Sequence, residues 1–134
     1  MGVNLMSFLF LTNIVIGTCR DSTEVKFNVR LECELGAHLH YGWCYTLTMY
    51  ERDDFLFDDT MGYILEDCTG ENYEDVEIVG YALDDGLLDN SGEVYIKVSS
   101  NCTTQWATKH SRDHGVYFKK NETRYFEERF NLNE

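Results

Sequence analysis

The sequence predicts an all-β fold, an antiparallel β-sandwich of six to seven strands, on three observations. Val25, Phe27, Val29, Leu31, Cys33 and Leu35 alternate with Lys26, Asn28, Arg30, Glu32 and Glu34, which puts the apolar side chains on one face of an extended strand and the charged and amide ones on the other. Strand-like runs of this kind recur at sandwich spacing, with turn signals between them and no sustained helical period. The whole chain lacks proline. A strand with one dry and one wet face belongs in an antiparallel sheet.

The first residues stand apart. Leu5 to Ile16 is apolar except for Ser7, Thr12 and Asn13. That is shorter than the roughly 20 residues a membrane helix needs, and it suits the apolar core of a secretory signal. Residues 1–19 are therefore expected to be a signal peptide, cleaved after Gly17 or Cys19. Residues 20–134 form a single secreted domain with no transmembrane segment. Its 24 Asp and Glu outnumber its 11 Lys and Arg, for a net charge of −13, so it repels nucleic acid and bare anionic membrane at long range unless a local Lys/Arg patch compensates, and no nucleic-acid partner is expected.

Gly36 to Gly42 reads as a turn rich in Gly and His. Trp43 to Glu51 is a second strand, with Trp43, Tyr45, Leu47 and Met49 on one face and Cys44, Thr46, Thr48 and Tyr50 on the other; its aromatic and β-branched content favours that state. Glu51 to Asp67 is acidic and irregular, a loop with a short strand near Tyr63 to Leu65. Thr69 to Glu74 is a turn. Asp75 to Leu83 is a strand with both faces partly apolar, which places it centrally in a sheet. Asp84 to Gly92 is a loop with two turn signals, and Glu93 to Cys102 is the next strand. Thr103 to Gly115 is polar and leaves room for a short helical turn. Val116 to Lys120 and Arg124 to Leu132 form a closing hairpin around Asn121, Glu122 and Thr123.

The five cysteines are Cys19, Cys33, Cys44, Cys68 and Cys102. Cleavage after Cys19 leaves four, an even set typical of two disulfides in a small secreted domain; cleavage after Gly17 leaves Cys19 as a free or intermolecular thiol. Four cysteines permit three pairings, and side-chain faces give a preference. Cys33 continues the dry face of the first strand, and Cys102 extends the series Val94, Ile96, Val98, Ser100. Two core-facing cysteines can meet across a sandwich. Cys44 lies in register with Thr46 and Thr48 on a wetter face and is left with Cys68. The preferred pairs are Cys33–Cys102 and Cys44–Cys68.

The order of these signals resembles a known family. A strand carrying Val29-x-Leu31-x-Cys33 is followed by a strand ending Leu47-x-x-Tyr50-Glu51-Arg52-Asp53 and by the acidic Phe57-Asp58-Asp59. Then come Val76 to Ala82, Val94 to Val98 leading to Cys102, and a closing Phe130-Asn131-Leu132-Asn133. This pattern is similar to that of the transthyretin-like family of secreted nematode proteins. Ser100 stands where that family usually has His, and the usual prolines are missing, which marks a divergent member. The resemblance implies a transthyretin-like (immunoglobulin-like) sandwich in extracellular fluid. It also implies a binding role, since some relatives bind cell-surface lipids or receptors.

The candidate chemistry is sparse. His38 and His40 form an H-x-H pair which, with His110, His114 or a carboxylate, has the imidazole content of a zinc or copper site; the flanking Gly36 and Gly42 favour a solvated turn, and no metal or other cofactor is expected. Asp53, Asp54, Asp58 and Asp59, and Asp84, Asp85 and Asp89, are oxygen-rich enough for calcium but lack the EF-hand spacing, so solvated acidic loops are expected. Two sequons, Asn101-Cys102-Thr103 and Asn121-Glu122-Thr123, mark possible N-glycans, with Asn121 the better placed in a hairpin tip. The transthyretin fold also hosts a purine-pathway hydrolase with a Tyr-Arg-Gly-Ser C-terminus, and this chain has no such tetrapeptide. Nor has it a G-x-S-x-G, H-E-x-x-H or phosphate-loop motif. The expectation is a non-catalytic binding module for a cell-surface, lipid or protein partner. It would act through loops or exposed aromatics such as Tyr41, Trp106, Tyr117 and Tyr125, beside a basic patch of Lys109, Arg112, Lys119 and Lys120. The alternative is a carrier holding a small apolar ligand in a pocket between subunits.

Overall fold

The computed structural model describes residues 22–34, 42–53, 57–83, 91–103, 105–117 and 121–133. The expected signal peptide with Cys19, the His38/His40 turn, Tyr41, Asp54, the Asp84–Asp89 cluster, Lys119 and Lys120 lie outside them.

Two sheets carry the chain. One has three strands in the order β4–β1–β8, from Tyr73–Leu83, Ser22–Glu32 and Thr123–Asn131. The other has five: β3 (Asp59–Thr69), β2 (Trp43–Arg52), β5 (Ser91–Ser100) and β6 (Ala107–His110) in that order, with β7 (His114–Tyr117) also on β5. Alternation decides the packing. Val25, Phe27, Val29 and Leu31 of β1 face Trp43, Tyr45, Leu47 and Met49 of β2 and Val94, Ile96 and Val98 of β5 in one buried core. Trp43 keeps its indole N–H satisfied by donating to the Glu71 carbonyl at 2.8 Å, as a buried donor must.

Both disulfides form. Cys33 and Cys102, 0% and 2% exposed, join the end of β1 to the end of β5 and so tie the two sheets together. Cys44 and Cys68 are directly opposed residues of β2 and β3, bridged on the outer face with Cys68 exposed.

Several expectations need correction. There are eight strands among the described residues, not six or seven, and the pairing is not wholly antiparallel, because β8 runs parallel to β1. The acidic segment expected as a loop with a short strand at Tyr63–Leu65 becomes, from Asp59 on, the eleven-residue β3. Register shifts against β2 at Tyr45/Leu47 and Met49/Tyr50 break its alternation, and an edge strand with bulges shows no clean period of two. β4 is an edge strand rather than a central one. Its second apolar face is explained by β3: a Cβ on Gly62 would lie 2.4 Å from the Val79 carbonyl oxygen, and one on Gly80 2.7 Å from Met49 Sδ and 2.9 Å from Met61 Cβ. Those two missing side chains let the sheets close against each other on this side.

The polar Thr103–Gly115 stretch supplies β6 and the start of β7, with no helix among its described residues. Its polarity belongs to an outward face, where Ser99 and Thr108 hydroxyls meet at 2.8 Å. The closing hairpin does not form, because β7 joins β5 in one sheet and β8 joins β1 in the other.

Candidate binding seam between β7 and β8

The sandwich is shut at the β3–β4 side and parted at the β6–β7/β8 side. β6 and β7 continue one another along β5. Ser111 keeps the ladder going between them, its N–H donating to Ile96 O at 2.8 Å and its Oγ accepting from Ile96 N at 2.9 Å. Arg112 and Asp113 fall in the break. β8 belongs to the opposite sheet, so side chains alone bridge the gap. Lys109 Nζ donates to Asn131 O at 2.6 Å, His114 Nε2 lies 2.6 Å from Glu128 Oε1, and Arg112 Nε lies 3.8 Å from the same carboxylate oxygen.

His114 opposes the buried Val94 and turns inward, with its side chain 9% exposed. Its ring packs edge-on to Phe27 at 5.2 Å and against Phe126 at 4.7 Å. The imidazole is thus wedged in apolar surroundings and anchored by one carboxylate. His110 opposes Lys97 and faces outward, so the structure does not bring the two histidines together. Among the described residues one trio of potential metal ligands converges, Cys44, Glu66 and Cys68, and its two sulfurs are bonded to each other.

Toward the β7 end the described residues border two recesses along the seam. A recess of about 430 Å³ is lined by Gly115, Tyr117, Thr123, Arg124, Tyr125 and Phe126. A second, of about 370 Å³, shares Gly115 and Tyr117 and reaches Arg52 and Glu93. Tyr117 and Tyr125 stand at the mouth, 74% and 67% exposed. Two of the aromatics named from sequence therefore come together. Trp106 does not: it precedes β6 beside Ser100, and β7 ends opposite Ser91, about 30 Å away along β5 at ~3.3 Å per residue.

Arg124 was not among the sequence candidates, yet it points inward with Phe126, Glu128 and Phe130. Its guanidinium pairs with Glu122 at 2.7 Å, while its Nε–H is buried with no partner among the described residues. The parity of Phe126, Phe130 and Leu132 was the available signal, since it puts Arg124 and Glu128 on the same dry face.

The acidic residues serve structure instead. Asp58 Oδ2 accepts from the Tyr95 hydroxyl at 2.6 Å and its Oδ1 from the Asp53 N–H at 3.2 Å; the tyrosine bond, partly offset by desolvation, holds the Asp58 carboxyl below the usual range. Burial first, and then the same bond, pushes the Tyr95 phenol up to about 12. Arg52 lies over the Tyr95 ring at 5.0 Å and pairs with Asp113 at 2.9 Å, so this corner is internally neutralised.

Charge is divided unevenly along the chain. Residues 1–104 hold nineteen Asp and Glu against five Lys and Arg, a net of −14; residues 105–134 hold five against six, a net of +1. The second set includes β6, β7 and β8, and at the seam mouth its charges meet Glu93 opposite Gly115, Glu24 against Thr123, and Glu122 against Arg124. Comparison with protein-family models, with curated proteins and with solved structures finds no match to this chain.

Proposed function

We propose that the protein is a secreted, non-catalytic, transthyretin-like binding module that takes an anionic cell-surface partner, a phospholipid headgroup, at the mouth of the β7–β8 seam. The observation that carries this reading is that two strongly exposed tyrosines, Tyr117 and Tyr125, line one recess together with Arg124, on strands from the least acidic stretch of the chain. Tyrosines have an apolar body and a polar tip and suit a membrane interface. The remaining acid does not forbid the approach, because at physiological salt exposed charges beyond about 8 Å are largely screened.

Co-sedimentation with vesicles tests the proposal. Binding is expected to vesicles of mixed anionic and zwitterionic phospholipid, to weaken with salt, and to be lost in Tyr117→Ala/Tyr125→Ala with the melting temperature unchanged. Equal binding to purely zwitterionic vesicles, or indifference to the two tyrosines, would remove the seam as the site.

A further inference from the structure

We propose that Asn121 carries an N-linked glycan that screens the seam mouth, while the second sequon, at Asn101, stays bare. The inference rests on the reading of the chain as a secreted one.

The two sequons differ in what the fold does with them. Asn121 sits exposed in the turn ahead of β8 with φ 59°, a left-handed conformation that Asn tolerates better than most residues. Its partner in the motif, Thr123, opens β8 and lines the recess that Tyr117 and Tyr125 flank. A saccharide on Asn121 therefore leaves the surface two residues from the recess wall.

Asn101 is held in the opposite manner. Its Oδ1 accepts from the Cys44 N–H at 2.6 Å while its own N–H donates to Cys44 O at 3.1 Å. The side chain thus acts as one more rung between β5 and β2 and lies half-buried against the sheet. The middle residue of that sequon is the buried, bridged Cys102, whereas the threonine hydroxyls do not separate the two motifs, Thr103 donating to Gln105 O at 2.9 Å and Thr123 to Glu24 Oε1 at 3.2 Å. Once this end of the domain folds, the Asn101 amide is held in the sheet and its middle residue is sealed in the core, so the motif cannot extend away from the surface.

The chemistry balances with one co-reactant, an oligosaccharide on a lipid pyrophosphate. Asn121 Nδ2 forms a bond to the anomeric carbon, the bond from that carbon to the pyrophosphate oxygen breaks, and Nδ2 gives up one proton as the lipid pyrophosphate leaves. Bulk placed at the turn would cover Tyr125 first and Tyr117 next, so the modification would set how open the seam is to a large surface.

The test is expression of the full chain in eukaryotic cells behind a leader known to enter the secretory path, which removes dependence on the native one. Glycopeptide mapping is expected to find one glycan, lost in Asn121→Gln and in Thr123→Ala and retained in Asn101→Gln. Iodination then reads the screening without any ligand. Tyr117 and Tyr125 are expected to react several-fold faster after peptide N-glycosidase treatment, with Tyr63 and Tyr73 on other surfaces unchanged. A glycan on Asn101, a bare Asn121, or equal reactivity of Tyr117 and Tyr125 in both forms would overturn the inference. Failure of the vesicle experiment alone, with mapping and iodination as expected, would count against the headgroup reading and not against this one.

Discussion

Cutting the Cys33–Cys102 bridge should cost more stability than cutting Cys44–Cys68, and the chain sets the amounts. The bridges span 69 and 24 residues of sequence. Loop-closure entropy in the unfolded chain grows with the logarithm of that span, giving about 4.4 kcal/mol for the longer loop and about 3.4 kcal/mol for the shorter. Burial widens the gap. Cys33 and Cys102 are sealed in the core, so alanines there leave a void adding about 1–2 kcal/mol, whereas Cys68 is exposed and its loss adds little. The expected cost is therefore about 5–6 kcal/mol for Cys33→Ala/Cys102→Ala, a large share of the ~5–15 kcal/mol that holds a domain together. Equilibrium unfolding in urea measures it, with Cys19→Ser in every variant. Trp106→Phe leaves the buried Trp43 as the fluorescent reporter, since the chain has two tryptophans. The m-value should rise in both variants, more in the first, because the released unfolded chain expands. Equal losses, or a larger loss on cutting Cys44–Cys68, would refute the assignment of the inter-sheet bridge as the principal staple.

Further outcomes follow from local contacts. Gly80→Ala drives a Cβ into Met49 and Met61 and should cost about 1–3 kcal/mol in a thermal melt, whereas Gly115→Ala, whose Cβ would meet nothing within 4 Å, should stay within about 0.5 kcal/mol. His114→Ala strips the half-buried Glu128 of its nearest partner and opens a gap beside Phe27 and Phe126; a loss of about 2–4 kcal/mol is expected, and an unchanged melting temperature would deny the wedge. At alkaline pH, Tyr45, raised to about 12 by burial and the nearby Asp67, and Tyr95, raised to about 12 by burial and Asp58, should ionise only near pH 12 by ultraviolet absorbance. Folded values above an unfolded value of about 10 mean that this stabilisation is intact below pH ~10 and is lost as pH climbs through 12. Tyr95→Phe should remove one of the two late phenols.

The readable parts of this sequence were those where a strand buries one face along its whole length. β1 and β2 alternate along their core-facing lengths, and β5 keeps Val94, Ile96 and Val98 on one face although Tyr95 is buried on the other, so their cores, and from their parity the Cys33–Cys102 bridge, could be read from residue types alone. β3 could not, because its bulges shift parity twice and, as an edge strand, most of its side chains stay wet. The apolar second face of β4 was misread as central burial because nothing local says that Gly62 and Gly80 let a strand of the other sheet lie against it. The supposed hairpin around Asn121 fails for a related reason: a turn signal fixes where the chain bends but not which sheet the next strand joins. The seam inherits that blindness. Tyr117 and Tyr125 were legible as exposed aromatics, but their meeting depends on β8 running parallel to β1, a pairing set by contacts nearly 100 residues apart.

The inward charges on the last strands serve two ends with one set of residues. An edge strand with a clean apolar inner face and free backbone groups invites another strand to add to it. β8 instead sets Glu128 between Phe126 and Phe130 and Arg124 just ahead of Phe126 on the same face, and β6 turns Lys109 toward Asn131 O. These groups hold β8 at side-chain distance from β6 and β7, in contrast to the close approach of β3 and β4 that Gly62 and Gly80 allow. The same separation keeps the recess beside Tyr117 and Tyr125 open. Replacing Arg124 and Glu128 together with Leu and Val should therefore promote self-association visible by sedimentation. A double variant that stays monomeric at high concentration would show that some other feature guards this edge.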